Sequence, residues 1–211
     1  LYARNVVCGM ARLNGFAVGV IANNPMFGAG TLDPQACHKI IRLATVCDSY
    51  NIPIIFLADV PGFMVGERVE HELMLHWGMR MMHALQNCSA PTLTVCIRKA
   101  FGLAWQAMNG SQMPALGVYS WPGAEIGFMD PEVGVNVAFG SKLARIDDSE
   151  TRESERVALV REVGESTNPY EAAGTMRIDE IIDPGDTRGV LAHDLEMLAH
   201  RSVPPPEARP L

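Results

Sequence analysis

Two short segments of this chain carry residues suited to chemistry at a turn. Asp59-Val-Pro-Gly-Phe63, continued by Gly66, and Arg98-Lys-Ala-Phe-Gly102 each follow an apolar run of strand length. In α/β sheets, ligands bind outside the C-terminal ends of strands. Gly62 and Gly102 allow close approach to bare backbone, and free N–H groups where a strand turns into a helix suit an oxygen that gains negative charge. On spacing alone, the same residues fit two ordinary turns equally well. No side-chain apparatus competes with them. Gly-x-Ser-x-Gly, the P-loop and Gly-x-Gly-x-x-Gly after a strand are absent, and no local signature joins Ser, His and Asp into a triad. His71 and His76 are five residues apart rather than four, so at ~100° per residue their rings stand about 140° apart on a helix. No metal site is expected. His71 is expected in solvent and His76 in partly buried packing.

The elements that must position these loops alternate. Residues 6–7 and 16–22 read as strands around Asn14-Gly15, a strong hairpin signal. Asp33 caps a helix with Pro34 at its first position, and Cys37, Ile40, Ile41, Ala44 and Cys47 share one helical face. Residues 52–58 form a continuous apolar run, as in a strand covered on both sides. The 59–66 loop leads into a long helix over 67–86, whose Met74, Met79, Met81 and Met82 suit a core or an oligomer face. Residues 92–97 read as a second buried strand, 98–102 as a tight connection and 103–108 as a helix. Short strands are expected at 119–121, 125–129 and 178–182, and helices from 130, over 149–165, from 168 and over 187–200. The order predicts a single α/β domain over residues 1–202 with a Pro-rich tail over 203–211.

Composition narrows the function. Seventeen Lys plus Arg against twenty-four Asp plus Glu gives a net charge of −7, with no basic block, so nucleic acid and anionic membrane surfaces are poor partners. No apolar run approaches the ~18 residues of a membrane span. Five Cys without a Cys-x-x-Cys pair read as reduced, buried thiols of a cytoplasmic protein. The start lacks a Met and a signal-peptide pattern, which is expected of a fragment or excised domain.

Taken in order, the motifs resemble one family. Arg12-Leu-Asn-Gly15 with Val18-Gly-Val-Ile-Ala-Asn23, Gly30-Thr-Leu-Asp33 through Lys39 and Cys47-Asp48, and Asn51-Ile-Pro53 are followed by the two loops above. Trp121-Pro, Ala124-Glu-Ile126 and Met129 come next, then Ile181-Ile-Asp-Pro184, Asp186-Thr-Arg188 and Leu191. Together they resemble the C-terminal half of the carboxyltransferase (β) subunit of biotin-dependent acyl-CoA carboxylases, of the propionyl-CoA carboxylase β type.

The resemblance implies a crotonase/ClpP-type stack of ββα units. It implies carboxyl transfer from carboxybiotin to an acyl-CoA, with this chain forming the biotin-side half of a site completed by a partner N-domain. Biotin would arrive on a carrier protein, and a biotin carboxylase component and a homo-oligomeric assembly would complete the machinery, in the cytoplasm or, in a eukaryote, the mitochondrial matrix. By resemblance, the backbone N–H groups of Leu103 and Ala104 are the oxyanion donors. Pro61, Gly62, Phe63, Gly66, Ala100, Phe101, Gly102, Trp105 and Gln106 line the substrate cleft. Three departures stand there: the family usually has Gly at 103, Tyr at 105 and Asp at 106. A fourth is His76-Trp77, where Arg-His is usual. A left-handed backbone at Leu103 would cost about 1–2 kcal/mol. The alternatives are a decarboxylase subunit of the same fold, or a non-catalytic assembly subunit to which Leu103 points.

Overall fold

The computed structural model describes residues 2–199. Strands β1 (Val6–Leu13) and β2 (Phe16–Asn23) form the expected hairpin. Asn14 and Gly15 both take positive φ, +49° and +88°, as a two-residue turn of this twist requires. The first strand is far longer than the two residues its apolar pattern marks, because its exposed outer positions break the alternation. A single 3-10 turn (Gly28–Gly30) leads to α1 (Pro34–Ser49). The Asp33 side chain accepts from Ala36 N at 2.7 Å and caps that helix. Helix α1 buries Cys37, Ile40, Ala44 and Cys47 of the face read from the sequence, and Ala36 besides, while Ile41 is half-buried.

Strand β3 (Ile54–Val60) follows, and its side chains alternate between two cores. Ile54, Phe56 and Ala58 face the core beneath α1, whereas Ile55 faces the second core, with Leu57 packed against it. The sheet is thus covered on both sides, which explains an apolar run without polar alternation. The helix expected over 67–86 is instead two: α2 (Glu67–His71) and α3 (Met74–Gln86). Leu73 breaks them in left-handed geometry at φ +65°, ψ +47°. His76 is exposed rather than partly buried, as Met74, Gly78, Met81, Met82 and Leu85 take the inward face.

Strand β4 (Thr92–Phe101) runs four residues beyond its expected end, so 98–101 is strand and not a connection. It passes directly into α4 (Gly102–Ala107). Then come β5 (Gly117–Ser120), β6 (Glu125–Gly127), α5 (Pro131–Leu143), α6 (Ser149–Glu165), α7 (Pro169–Gly174), β7 (Glu180–Ile181) and α8 (Thr187–Ala199). The sheet order is β1-β2-β3-β4-β5-β7, antiparallel in the first pair and parallel after it. Strand β6 pairs with the far end of β4 beyond β5. Leu191, Leu195 and Leu198 of α8 close the second core over Val18, Ile55, Leu93 and Val95. The domain end at 202 and the tail over 203–211 lie outside the described residues.

Candidate active site

Strands β3 and β4 are parallel neighbours, so the two segments singled out by sequence lie side by side at the C-terminal ends of these central strands. The first is held from behind. Leu32 N donates to Gly62 O at 3.1 Å, and Met64 N donates to Leu32 O at 2.8 Å, a short bridge that pairs Leu32 with Phe63. The Phe63 ring lies over Gly78 of α3, where a Cβ would stand 3.3 Å from it. That contact explains a glycine in the middle of an amphipathic helix. Pro61, Gly62 and Phe63 are half-buried, and Gly66 is exposed at φ +123° with open space around its α-carbon.

The second segment turns from strand to helix at Gly102. Its φ is +57°, and a Cβ there would meet the main-chain oxygen of Phe128 at 2.9 Å. Leu103 lies inside α4 and is not among the positive-φ residues. The left-handed position is therefore Gly102, and Leu103 carries no such strain. Phe101, at the N-cap, has no capping side chain, and the first N–H groups of a helix have no intrahelical acceptor. Of the two residues expected as donors, Leu103 is 45% exposed and Ala104 1%.

The remaining expected site residues divide. The side chains of Ala100, Phe101 and Trp105 are buried. The Trp105 indole packs onto Gly110, and its Nε1 donates to Ser111 Oγ at 2.9 Å. Gln106 is half-buried and donates through Nε2 to Gln112 Oε1 at 3.0 Å. Residues 100–106 contain no titratable side chain, so what this turn offers chemically is hydrogen-bond donation by main chain.

Charged groups flank the turn. Lys99 Nζ donates to Asp130 Oδ2 at 2.7 Å, and Asp130 caps α5 through Glu132 N. Burial raises the Asp130 carboxyl, but its bonds from Lys99, Glu132 and Val133 outweigh this and hold it below the usual carboxylate value. Asp59, at the end of β3, is 7% exposed and paired with Arg98. In the sequence, Asp59 and Arg98 stand only as members of the two motifs, with no role of their own. The available signal was an acid and a base at the ends of two adjacent strands. Burial pushes the thiols of Cys37, Cys88 and Cys96 up to about 12, so none is a nucleophile at neutral pH. No metal-holding cluster occurs among the described residues. None of their helices is long and apolar enough to cross a membrane.

A family model, the carboxyl transferase domain, matches residues 1–210. The chain belongs to the carboxyl transferase domain family. It is 40% identical over 208 residues to the carboxyltransferase subunit of propionyl-CoA carboxylase from Haloferax mediterranei, covering 99% of this chain and 40% of that one. It is 38% identical to the methylmalonyl-CoA carboxyltransferase 12S subunit of Propionibacterium freudenreichii subsp. shermanii, over 94% of this chain and 37% of that one. Among solved structures, the transcarboxylase 12S hexamer with methylmalonyl-CoA and methylmalonic acid bound superposes with a TM-score of 0.85 at 36% identity. That match covers 100% of this chain and 40% of the other. The fold of this carboxyl transferase domain is thus the crotonase type that the motifs implied. The chain spans about two fifths of the length of these relatives.

Proposed function

We propose that this chain forms the biotin-side half of a carboxyltransferase site, passing a carboxyl group from carboxybiotin to an acyl-CoA. The observation that carries the reading is the β4–α4 turn. An uncapped helix start follows directly on a buried strand, with Gly102 in left-handed geometry and the 61–66 loop beside it. The donor set suits a ureido ring. It is main-chain N–H without a titratable side chain, which favours an oxygen gaining charge and leaves proton transfer to another group.

Carboxybiotin, when bound, supplies the carboxyl group and, through its released nitrogen, the base. Leu103 and Ala104 would hold the ureido oxygen through their N–H groups, which favour negative charge on it. A preorganised donor of this kind is worth about 3–4 kcal/mol. Pro61, Gly62, Phe63 and Gly66 wall the cleft, and the backbone of residues 100–102 forms its floor. Trp105 supports the turn from inside, and Gln106 borders the acyl group. Leu103 does not favour the non-catalytic reading, because the strain that raised it falls on Gly102 instead.

The partners proposed are an N-domain that holds CoA, a biotin carboxyl carrier and a biotin carboxylase component. The assembly is a homo-oligomer in the cytoplasm, or in the mitochondrial matrix of a eukaryote. A relative described as a hexamer supports the oligomer. The test is transfer of labelled carboxyl from carboxybiotin to acyl-CoA by the complete assembly. Label that remains on biotin would refute the reading.

A further inference from the structure

We infer that Asp59 is a positioning residue for the 102–104 turn: its carboxylate closes a bulge in β4 and so fixes where the chain leaves the sheet. The catalytic consequence rests on the carboxyltransferase reading above; the structural part does not.

The parallel register slips between β3 and β4. Ala58 pairs with Cys96 and Val60 pairs with Ala100, so Asp59 alone faces Ile97, Arg98 and Lys99. Extra residues of this kind leave backbone groups without a ladder partner. The Asp59 carboxylate supplies one. Its Oδ1 accepts from Lys99 N at 3.3 Å, and both oxygens accept from Arg98 Nε, at 3.1 and 3.2 Å. Arg98 Nη2 stands 3.1 Å from Oδ2. A carboxylate this buried persists only when paired and hydrogen-bonded, and here its partners belong to the bulge itself.

Asp59 is anchored on its other side. Its N–H donates to Asn23 Oδ1 at 3.1 Å, and Asn23 Nδ2 donates to Gly30 O at 2.9 Å. A Cβ on Gly30 would stand 2.8 Å from the Asp59 carbonyl oxygen, so only glycine lets the two chains lie this close. The bulge also marks where β4 exchanges neighbours, from β5 at Leu93–Cys96 to β6 at Lys99–Phe101. Lys99 is therefore held twice, by Asp59 through its N–H and by Asp130 through its ammonium. Gly102 follows three residues later. The direction of the Leu103 and Ala104 N–H groups depends on this short stretch. Bulges beside active sites commonly re-aim the chain in this way.

The test uses Asp59→Ala, Asp59→Asn and Arg98→Gln in the complete native assembly, read by amide hydrogen exchange and by kinetics. Asp59→Ala is expected to speed exchange over residues 99–104 while the β2–β3 ladder keeps its protection. It should lower kcat about 100-fold, the effect of a ~1 Å misplacement, with KM for acyl-CoA nearly unchanged. Asp59→Asn keeps an acceptor for Lys99 N–H and should recover most of the protection and part of kcat. Arg98 is half exposed, so Arg98→Gln should be the mildest change. Three outcomes would each overturn the proposal: unchanged protection over 99–104 in Asp59→Ala, even loosening of the whole chain, or Asn behaving as Ala. A wild-type assembly without transfer would remove the carboxyltransferase reading alone, since the exchange result does not depend on turnover.

Discussion

The α-carbon of Gly102 faces the main-chain oxygen of Phe128 so closely that a Cβ at 102 would stand 2.9 Å from it. The contact is backbone against backbone, so no side chain can move to relieve it. Left-handed geometry alone would cost a side chain here about 1–2 kcal/mol. Gly102→Ala is therefore expected to lower stability by at least that much and to lower carboxyl transfer about 100-fold by shifting the turn. Gly140, within α5 and with nothing near its α-carbon, is the control. Gly140→Ala should be neutral or stabilise by about 0.4–1 kcal/mol. Urea midpoints and kcat of both variants check this. Equal effects at the two positions would contradict it.

Gln106 stands where the family resemblance implies a carboxylate; its amide both accepts and donates, and it ties α4 to Gln112. Gln106→Asp loses the donor and places negative charge at the cleft. The ratio of kcat/KM between short and longer acyl-CoAs should shift roughly tenfold, within the range of about 1–3 kcal/mol for a methylene-sized discrimination. An unchanged ratio in a stable variant would remove position 106 from the acyl pocket.

The alternation of elements was legible because hairpin, cap and buried-strand signals are local. Asn14-Gly15 forces one turn, and Asp33-Pro34 starts one helix. What escaped depends on partners distant in sequence. Residues 98–101 look like a connection because Arg98 and Lys99 interrupt an apolar strand. They are strand because Asp59 and Asp130 satisfy those two charges. Leu73 fits an unbroken helical period, so nothing local marks its left-handed break. Trp105 falls where a cleft aromatic was expected, yet Gly110 leaves space for the indole to pack inward. The first of the two segments could be found because Pro61, Gly62 and Gly66 cluster after its strand, and the second because Gly102 ends an apolar run. Which position carries positive φ could not, since Gly102 and Leu103 are adjacent.

Asp130 gives a pH dependence with a fixed sign. Its folded carboxyl titrates below the usual value of 3.8, so its ion pair with Lys99 contributes stability above that pH. The contribution is lost as pH falls through the folded value. Wild type and Asp130→Asn should differ in urea midpoint near pH 6, and the gap should narrow below pH 3.8 and close once pH has passed below the lowered folded value. A gap that persists at the acid end would assign the effect to something other than this carboxylate.

Leu73, at the break before α3, and Leu75 and Met79 on the outer face of α3 are exposed along one groove. Exposed apolar surface of this kind is expected to be covered in an assembly. Sedimentation of the protein should give a mass above the monomer that falls in Leu75→Glu. A monomer mass across the micromolar range would contradict the homo-oligomer.

In the proposed function, this chain holds the biotin side of a carboxyl transfer site. The direct measurement follows labelled carboxyl from carboxybiotin into acyl-CoA, with the carrier, a CoA-holding N-domain and this chain combined and each omitted in turn. Multiple turnover is expected with all three and none when this chain is left out or stands alone. Turnover that persists without this chain, or label that stays on biotin with all three present, would contradict it.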